Sequence, residues 1–284
     1  MNYEIEALAN AHCVCGENPL WDSNRRRVFW TDIETGRVFC LDVASGDWKQ
    51  IYSGEKVGGF TLQDDGSLVV FRVNEFARLD VETGNVESLV CGIDANSGRF
   101  NDVMADADGS VLAGTMGRDG NFGGGLYRVD LNGNVTPLWS GTNCANGMGF
   151  SPDRKTFYWT DSTAHAILAF DHENGNFSNR RVLVQVADGE GTPDGMAVDC
   201  NGEIWSARWG GYGIFHFDSE GKLIEKIELP VAKVSSVTFG GDDLNELCIS
   251  TAGGETGSQT ADGTLYRVRV EAKGQREYRS RVRV

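Results

Sequence analysis

Four oxygen-bearing side chains, Glu17, Asn101, Asn146 and Asp194, sit in similar local settings far apart in a chain of 284 residues. Glu17 lies in Gly16-Glu17-Asn18-Pro19 and Asn101 in Phe100-Asn101-Asp102. Asn146 precedes Gly147-Met148-Gly149, and Asp194 lies in Pro193-Asp194-Gly195-Met196. Each stands ten or eleven residues ahead of a short apolar run: 17 before 28, 101 before 111, 146 before 157 and 194 before 204. Buried carboxylates and amides are costly unless paired or bound to a metal. Glu17 and Asp194 facing each other would also repel and raise a pKa. One divalent cation relieves both problems. Two carboxylates with one or two amide oxygens, and neither His nor Cys, favour a hard ion such as Ca²⁺, Mg²⁺ or Mn²⁺; Zn²⁺ and Fe²⁺ also fit an oxygen site. Asp-Gly or Asn-Gly alone is an ordinary turn signal, and the shared register sets these four apart from turns.

That register comes from a repeat. Six β-branched or aromatic runs begin at Val28, Leu68, Val111, Phe157, Ile204 and Leu247. The intervals between these starts, 40, 43, 46, 47 and 43 residues, match the length of a propeller blade. A polar turn precedes each run, as at Asp64-Asp65-Gly66-Ser67 and Asp106-Ala107-Asp108-Gly109. A second strand follows it, as at Leu126-Tyr127-Arg128-Val129-Asp130. The spacing predicts an all-β fold: a six-bladed β-propeller of four-stranded antiparallel blades, one domain over residues 1–284. The N-terminal Tyr3–Leu8 alternates, as does the tail Arg276–Arg283, which reads as an edge strand. Pairing of the N- and C-terminal strands is expected to close the ring and protect the sheet edges. The first strand of every blade lines the central channel, so the residues at the entrances of these strands converge. Counted the same way, blades two and six contribute Gly58 and Ser236.

Composition narrows the partners. The net charge of −15 repels nucleic acid and anionic lipid, so neither is expected to bind. No apolar run approaches the roughly 20 residues of a membrane helix. The first residues, Met1-Asn2-Tyr3-Glu4-Ile5-Glu6, carry acidic groups and no secretory signal, so a cytoplasmic location is expected. Seven cysteines without a Cys-x-x-Cys pair read as small buried residues in a reducing compartment; a soft-metal role for Cys13 and Cys15 lacks a second pair. His12, His165, His172 and His216 miss the channel entrances and read as structural or surface residues.

At the channel residues the chain resembles the gluconolactonase and regucalcin (senescence-marker-protein) family. The likeness lies in Gly16-Glu17-Asn18-Pro19-Leu20-Trp21, Arg99-Phe100-Asn101-Asp102, Gly114-Thr115-Met116 and Asn146-Gly147 followed by Ser151-Pro152-Asp153. It continues through Ser178-Asn179-Arg180-Arg181, Pro193-Asp194-Gly195, Trp209-Gly210-Gly211 and Phe239-Gly240-Gly241, nearly the whole chain in order. The resemblance implies one divalent ion held by Glu17, Asn146 and Asp194. It implies substrate hydroxyls held by Arg99 and Asn101, with Asp194 doubling as general base in hydrolysis of a sugar-acid lactone. Arg99 has a structural alternative, an ion pair with Asp102, and Trp209 is a candidate wall for a sugar ring. Asn18 departs from the family, which has Gly there, and so adds a polar group near the ion. The expected partner is a small sugar lactone, and the expected assembly a monomer or weak homo-oligomer. Rival readings are a phosphotriesterase-like hydrolase on the same fold and a non-catalytic calcium-binding regulator. A protein-binding propeller of the extracellular kind is a further rival, echoed in Phe29-Trp30-Thr31-Asp32 and Tyr158-Trp159-Thr160-Asp161.

Overall fold

The computed structural model describes residues 3–91, 97–254 and 260–283. Its six antiparallel sheets have four strands each and form the blades of a propeller. The inner strands are Gly16–Asp22, Gly59–Leu62, Ser97–Ala105, Ala145–Phe150, Thr192–Val198 and Val234–Gly240, in blades one to six. Among the described residues the one helical element is a single 3₁₀ turn, Arg118–Gly120.

Apolar residues fill six layers, each shared by two neighbouring blades. This explains the near-continuous apolar runs. Phe29 faces the layer against blade two, whereas Val28 and Trp30 face the layer against blade six. A strand sandwiched on both faces needs apolar residues at every position rather than at alternate ones. The polar outer strands, such as Trp48–Ser53 and Leu223–Glu228, mark where this double burial ends.

The ring closes in the sixth blade. Ile5–Asn10 pairs antiparallel with Thr264–Arg269 and becomes that blade's outer strand. The pairing of the two ends therefore involves Thr264–Arg269, and the reading of Arg276–Arg283 as an edge strand is overturned. This segment instead crosses the far end of the channel as a strap. Gln275 Nε2 donates to Phe150 O, at 2.9 Å, and to Val198 O, at 3.3 Å. Thr238 Oγ1 donates to Glu277 Oε1. Arg279 pairs with the fully buried Asp22 at 2.6 Å and donates to Gln63 O. Ser280 N–H donates to Leu62 O and Arg281 N–H to Gly109 O. These partners come from all six blades. Alternation arises here because Ser280 and Val282 turn into the protein while Arg281 and Arg283 stay in water, a period that a strap shares with a strand.

Candidate functional site

The inner strands of blades one, three, four, five and six each carry a register break against the next strand. In blades three, four and five the unpaired residues are Asn101 and Asp102, Asn146 and Gly147, and Asp194 and Gly195. A bulge sets two residues opposite one and re-aims their side chains, which places these groups at the channel mouth. In blade one the unpaired residues are Asn18 and Pro19, so Glu17 stands one position earlier, still paired with Thr31. The inner strand of blade two pairs residue for residue with Leu68–Phe71, and Gly58 N–H bonds to Phe71 O. Ring geometry explains the bulge glycines. A Cβ on Gly147 would lie 2.4 Å from Met196 N, and one on Gly195 would lie 2.1 Å from Ser236 Oγ. The inner strands converge too closely there for a side chain.

Glu17, Asn101, Asn146 and Asp194 are between 5% and 7% exposed. Asn101 and Asn146 meet directly: Asn101 Nδ2 donates to Asn146 Oδ1 at 2.7 Å and to Ala145 O at 2.9 Å. Arg99 Nη1 donates to Asn101 Oδ1 at 2.6 Å and to Phe100 O at 2.9 Å. Arg99 forms no ion pair with Asp102 among the described residues, so the structural alternative for this arginine is not realised. Asn146 Nδ2 donates to Ser162 Oγ at 2.9 Å, and Ser162 Oγ donates to Pro193 O at 2.6 Å.

The electrostatics of the mouth are adverse for carboxylates. Burial raises Glu17 well above the usual range, and the charges of Asp194 and Asp102 add to the rise. Burial and then Asp102 raise Asp194, while Arg99 pulls it back. Burial pushes Asp102 up to about 7. Asp194 Oδ1 is buried without a hydrogen-bond partner. An unpaired buried oxygen whose charge is felt by a second buried carboxylate is a donor suited to a hard cation. Below the mouth lies a cavity of about 100 Å³, bordered by Asp102, Ser236, Thr238, Gln275 and Glu277 among others.

Several neighbours take other roles. Asn18 has φ 47°, a left-handed conformation that asparagine tolerates. Its Oδ1 accepts from Phe60 N–H at 2.6 Å, tying blade one to blade two. Burial pushes the Cys13 thiol up to about 12 and raises Cys15, so both are held as thiols near neutral pH. Lys233 Nζ lies 5.1 Å from the centre of the half-buried Trp209 ring. His216 bonds to Glu203 Oε2 at 2.9 Å and stacks on Trp205. Asp199, Glu203 and His216 are near enough to share an ion. Asp199, however, follows the far end of its inner strand, and its oxygens accept from Asn201 N, Glu203 N and Trp205 Nε1. Sequence reasoning missed Ser162 and treated Asp102 only as a partner for Arg99. Their signals were adjacency to Asp161 and Asn101, which without coordinates reads as turn chemistry.

The chain is a six-bladed propeller whose buried oxygen-bearing side chains gather at one end of its channel. More narrowly, the chain belongs to the SMP-30/Gluconolactonase/LRE-like family, whose pattern it matches over residues 15–253. It is 38% identical to Pentonolactonase XacC of Haloferax volcanii, over 99% of each chain. It is 32% identical to 6-deoxy-6-sulfogluconolactonase of Pseudomonas putida, over 96% of this chain and 97% of that one. Among solved structures it superposes on a luciferin-regenerating enzyme with a TM-score of 0.89 and 25% identity, covering 98% of this chain and 99% of the other.

Proposed function

We propose that the protein hydrolyses a sugar-acid lactone to the open aldonic acid with the help of one divalent cation held by Glu17, Asn146 and Asp194. The observation that carries this reading is the buried, unpartnered Asp194 Oδ1 at a mouth where burial and mutual repulsion raise both Asp194 and Glu17. Such carboxylates are poor company for one another and good company for a cation. The named relatives support the lactone as substrate class. When bound, a divalent ion supplies Lewis-acid polarisation of the lactone carbonyl and keeps its carboxylates ionised. Arg99 and Asn101 bind and orient the sugar's oxygens from blade three. Asp194 takes a proton from the attacking water as the water oxygen bonds to the carbonyl carbon. The ring C–O bond then breaks, and the proton passes to the departing ring oxygen, giving a hydroxy acid. The half-buried Trp209 ring is an apolar wall on the blade-five side. The reaction is assigned to the cytoplasm.

The test is a pH-stat assay of pentono- and hexonolactones with EDTA-treated protein, each of Ca²⁺, Mg²⁺, Mn²⁺, Zn²⁺ and Fe²⁺ being added in turn. Metal-restored hydrolysis that disappears in Asp194→Ala is expected. Hydrolysis indifferent to both chelation and Asp194→Ala would refute the mechanism. Turnover of a phosphotriester without lactone hydrolysis would favour the rival chemistry.

A further inference from the structure

We infer that Ser162 is a positioning residue that fixes which end of the Asn146 carboxamide is offered as a ligand; this rests on the proposed role of Asn146 at the ion. A directed hydrogen-bond chain runs across three blades: Arg99 to Asn101, Asn101 to Asn146, Asn146 to Ser162, and Ser162 to the Pro193 carbonyl. Both ends of this chain are irreversible. A guanidinium only donates and a carbonyl only accepts. The single hydroxyl hydrogen of Ser162 is committed to Pro193 O at 2.6 Å, so Ser162 Oγ has only lone pairs to offer Asn146. Asn146 must therefore turn Nδ2 toward Ser162. From the other side Asn101 Nδ2 requires an oxygen, because Arg99 already occupies Asn101 Oδ1.

The two orientations of an asparagine amide have nearly the same shape, so packing alone selects neither. A flipped Asn146 would set its N–H₂ against that of Asn101 and its oxygen against the lone pairs of Ser162. In a buried site both clashes go unrelieved by water. It would also offer a cation N–H donors instead of an oxygen. Ser162 is itself buried, and its carbonyl partner immediately precedes Asp194, so one hydroxyl braces segments of blades four and five. Outer groups of this kind commonly change metal affinity by about ten- to a hundredfold.

The experiment is Ca²⁺ titration of the EDTA-treated full chain by chelator competition, a readout independent of turnover. Ser162→Ala should weaken Ca²⁺ binding by about tenfold or more, whereas Ser162→Thr, which keeps the hydroxyl, should stay within about threefold of the parent. The decisive comparison is made in an Asn146→Asp background. A carboxylate has two equivalent oxygens and no wrong end, so adding Ser162→Ala there should cost less than about threefold. Parent-like binding by Ser162→Ala overturns the inference. So does an equal loss in both backgrounds, or a loss in Ser162→Thr as large as in Ser162→Ala. If the parent binds none of Ca²⁺, Mg²⁺, Mn²⁺, Zn²⁺ and Fe²⁺ in the same competition assay, or Asn146→Ala leaves binding intact, the metal reading fails and this inference falls with it; an ion bound in place of Ca²⁺ takes its place in every comparison above. Binding lost in Asn146→Ala but untouched in Ser162→Ala sinks the inference alone.

Discussion

Replacing Asp102 by asparagine isolates the electrostatic burden of the channel. The carboxyl group moves from 3.8 to about 7 because burial disfavours its charged form. A rise of about three pH units, at about 1.4 kcal/mol each, is worth about 4 kcal/mol. Because the side chain borders a cavity with room for water, half of that, about 2 kcal/mol, is the working figure. The sign follows from linkage. The folded state holds the Asp102 proton more tightly than the unfolded state, so the associated stability is present below about pH 4 and is lost as pH rises toward about 7. The metal-free protein should therefore lose stability over this window, and Asp102→Asn should remove that loss. For a chain of this size about 2 kcal/mol corresponds to about 4 °C in Tm. Differential scanning calorimetry of both EDTA-treated proteins would show similar Tm values at about pH 4.5 and a variant higher by about 4 °C at about pH 7.5. Parallel pH profiles of parent and variant would refute the reasoning, because they would mean that Asp102 is as well solvated in the folded chain as in the unfolded one.

Other perturbations read other parts of the molecule. Glu17→Gln and Asp194→Ala should each abolish Ca²⁺ uptake and lower kcat for lactone hydrolysis by about 10² or more, with far-UV circular dichroism unchanged. Full activity in either variant contradicts the site. Gly147→Ala must force a Cβ toward Met196 N and should destabilise the fold by about 2 kcal/mol in urea denaturation. Arg279→Ala leaves the buried Asp22 with Arg25, at 3.5 Å, as its remaining cation. It should cost about 2 kcal/mol by the same measurement.

The blades were legible because burial on both faces writes itself into the chain as apolar runs at blade spacing. Phe29 and Trp30 are neighbours in sequence yet belong to different inter-blade layers, and a one-sided sheet would not have produced that pattern. The channel residues were legible as a set, since Asn101, Asn146 and Asp194 occupy the same bulge position in successive blades. The one-residue offset of Glu17 was not, because a bulge inserts a residue without leaving a composition signal. The tie from the Asn18 oxygen to the Phe60 amide of the next blade was not legible either, because it joins residues 42 apart in the chain. The strap was misread for a related reason. Alternation reports that every second side chain is buried, not what it is buried against.

The strap has a consequence for how the ring can come apart. Its berth is assembled from every blade, so no partial ring offers it complete. If the seam between any two blades parts, the hydrogen bonds of Ser280 and Arg281 to Leu62 and Gly109 lose the framework that aligns them. Amide exchange at these two positions would therefore act as a seal indicator for the whole circle, reporting on the integrity of seams far from either residue.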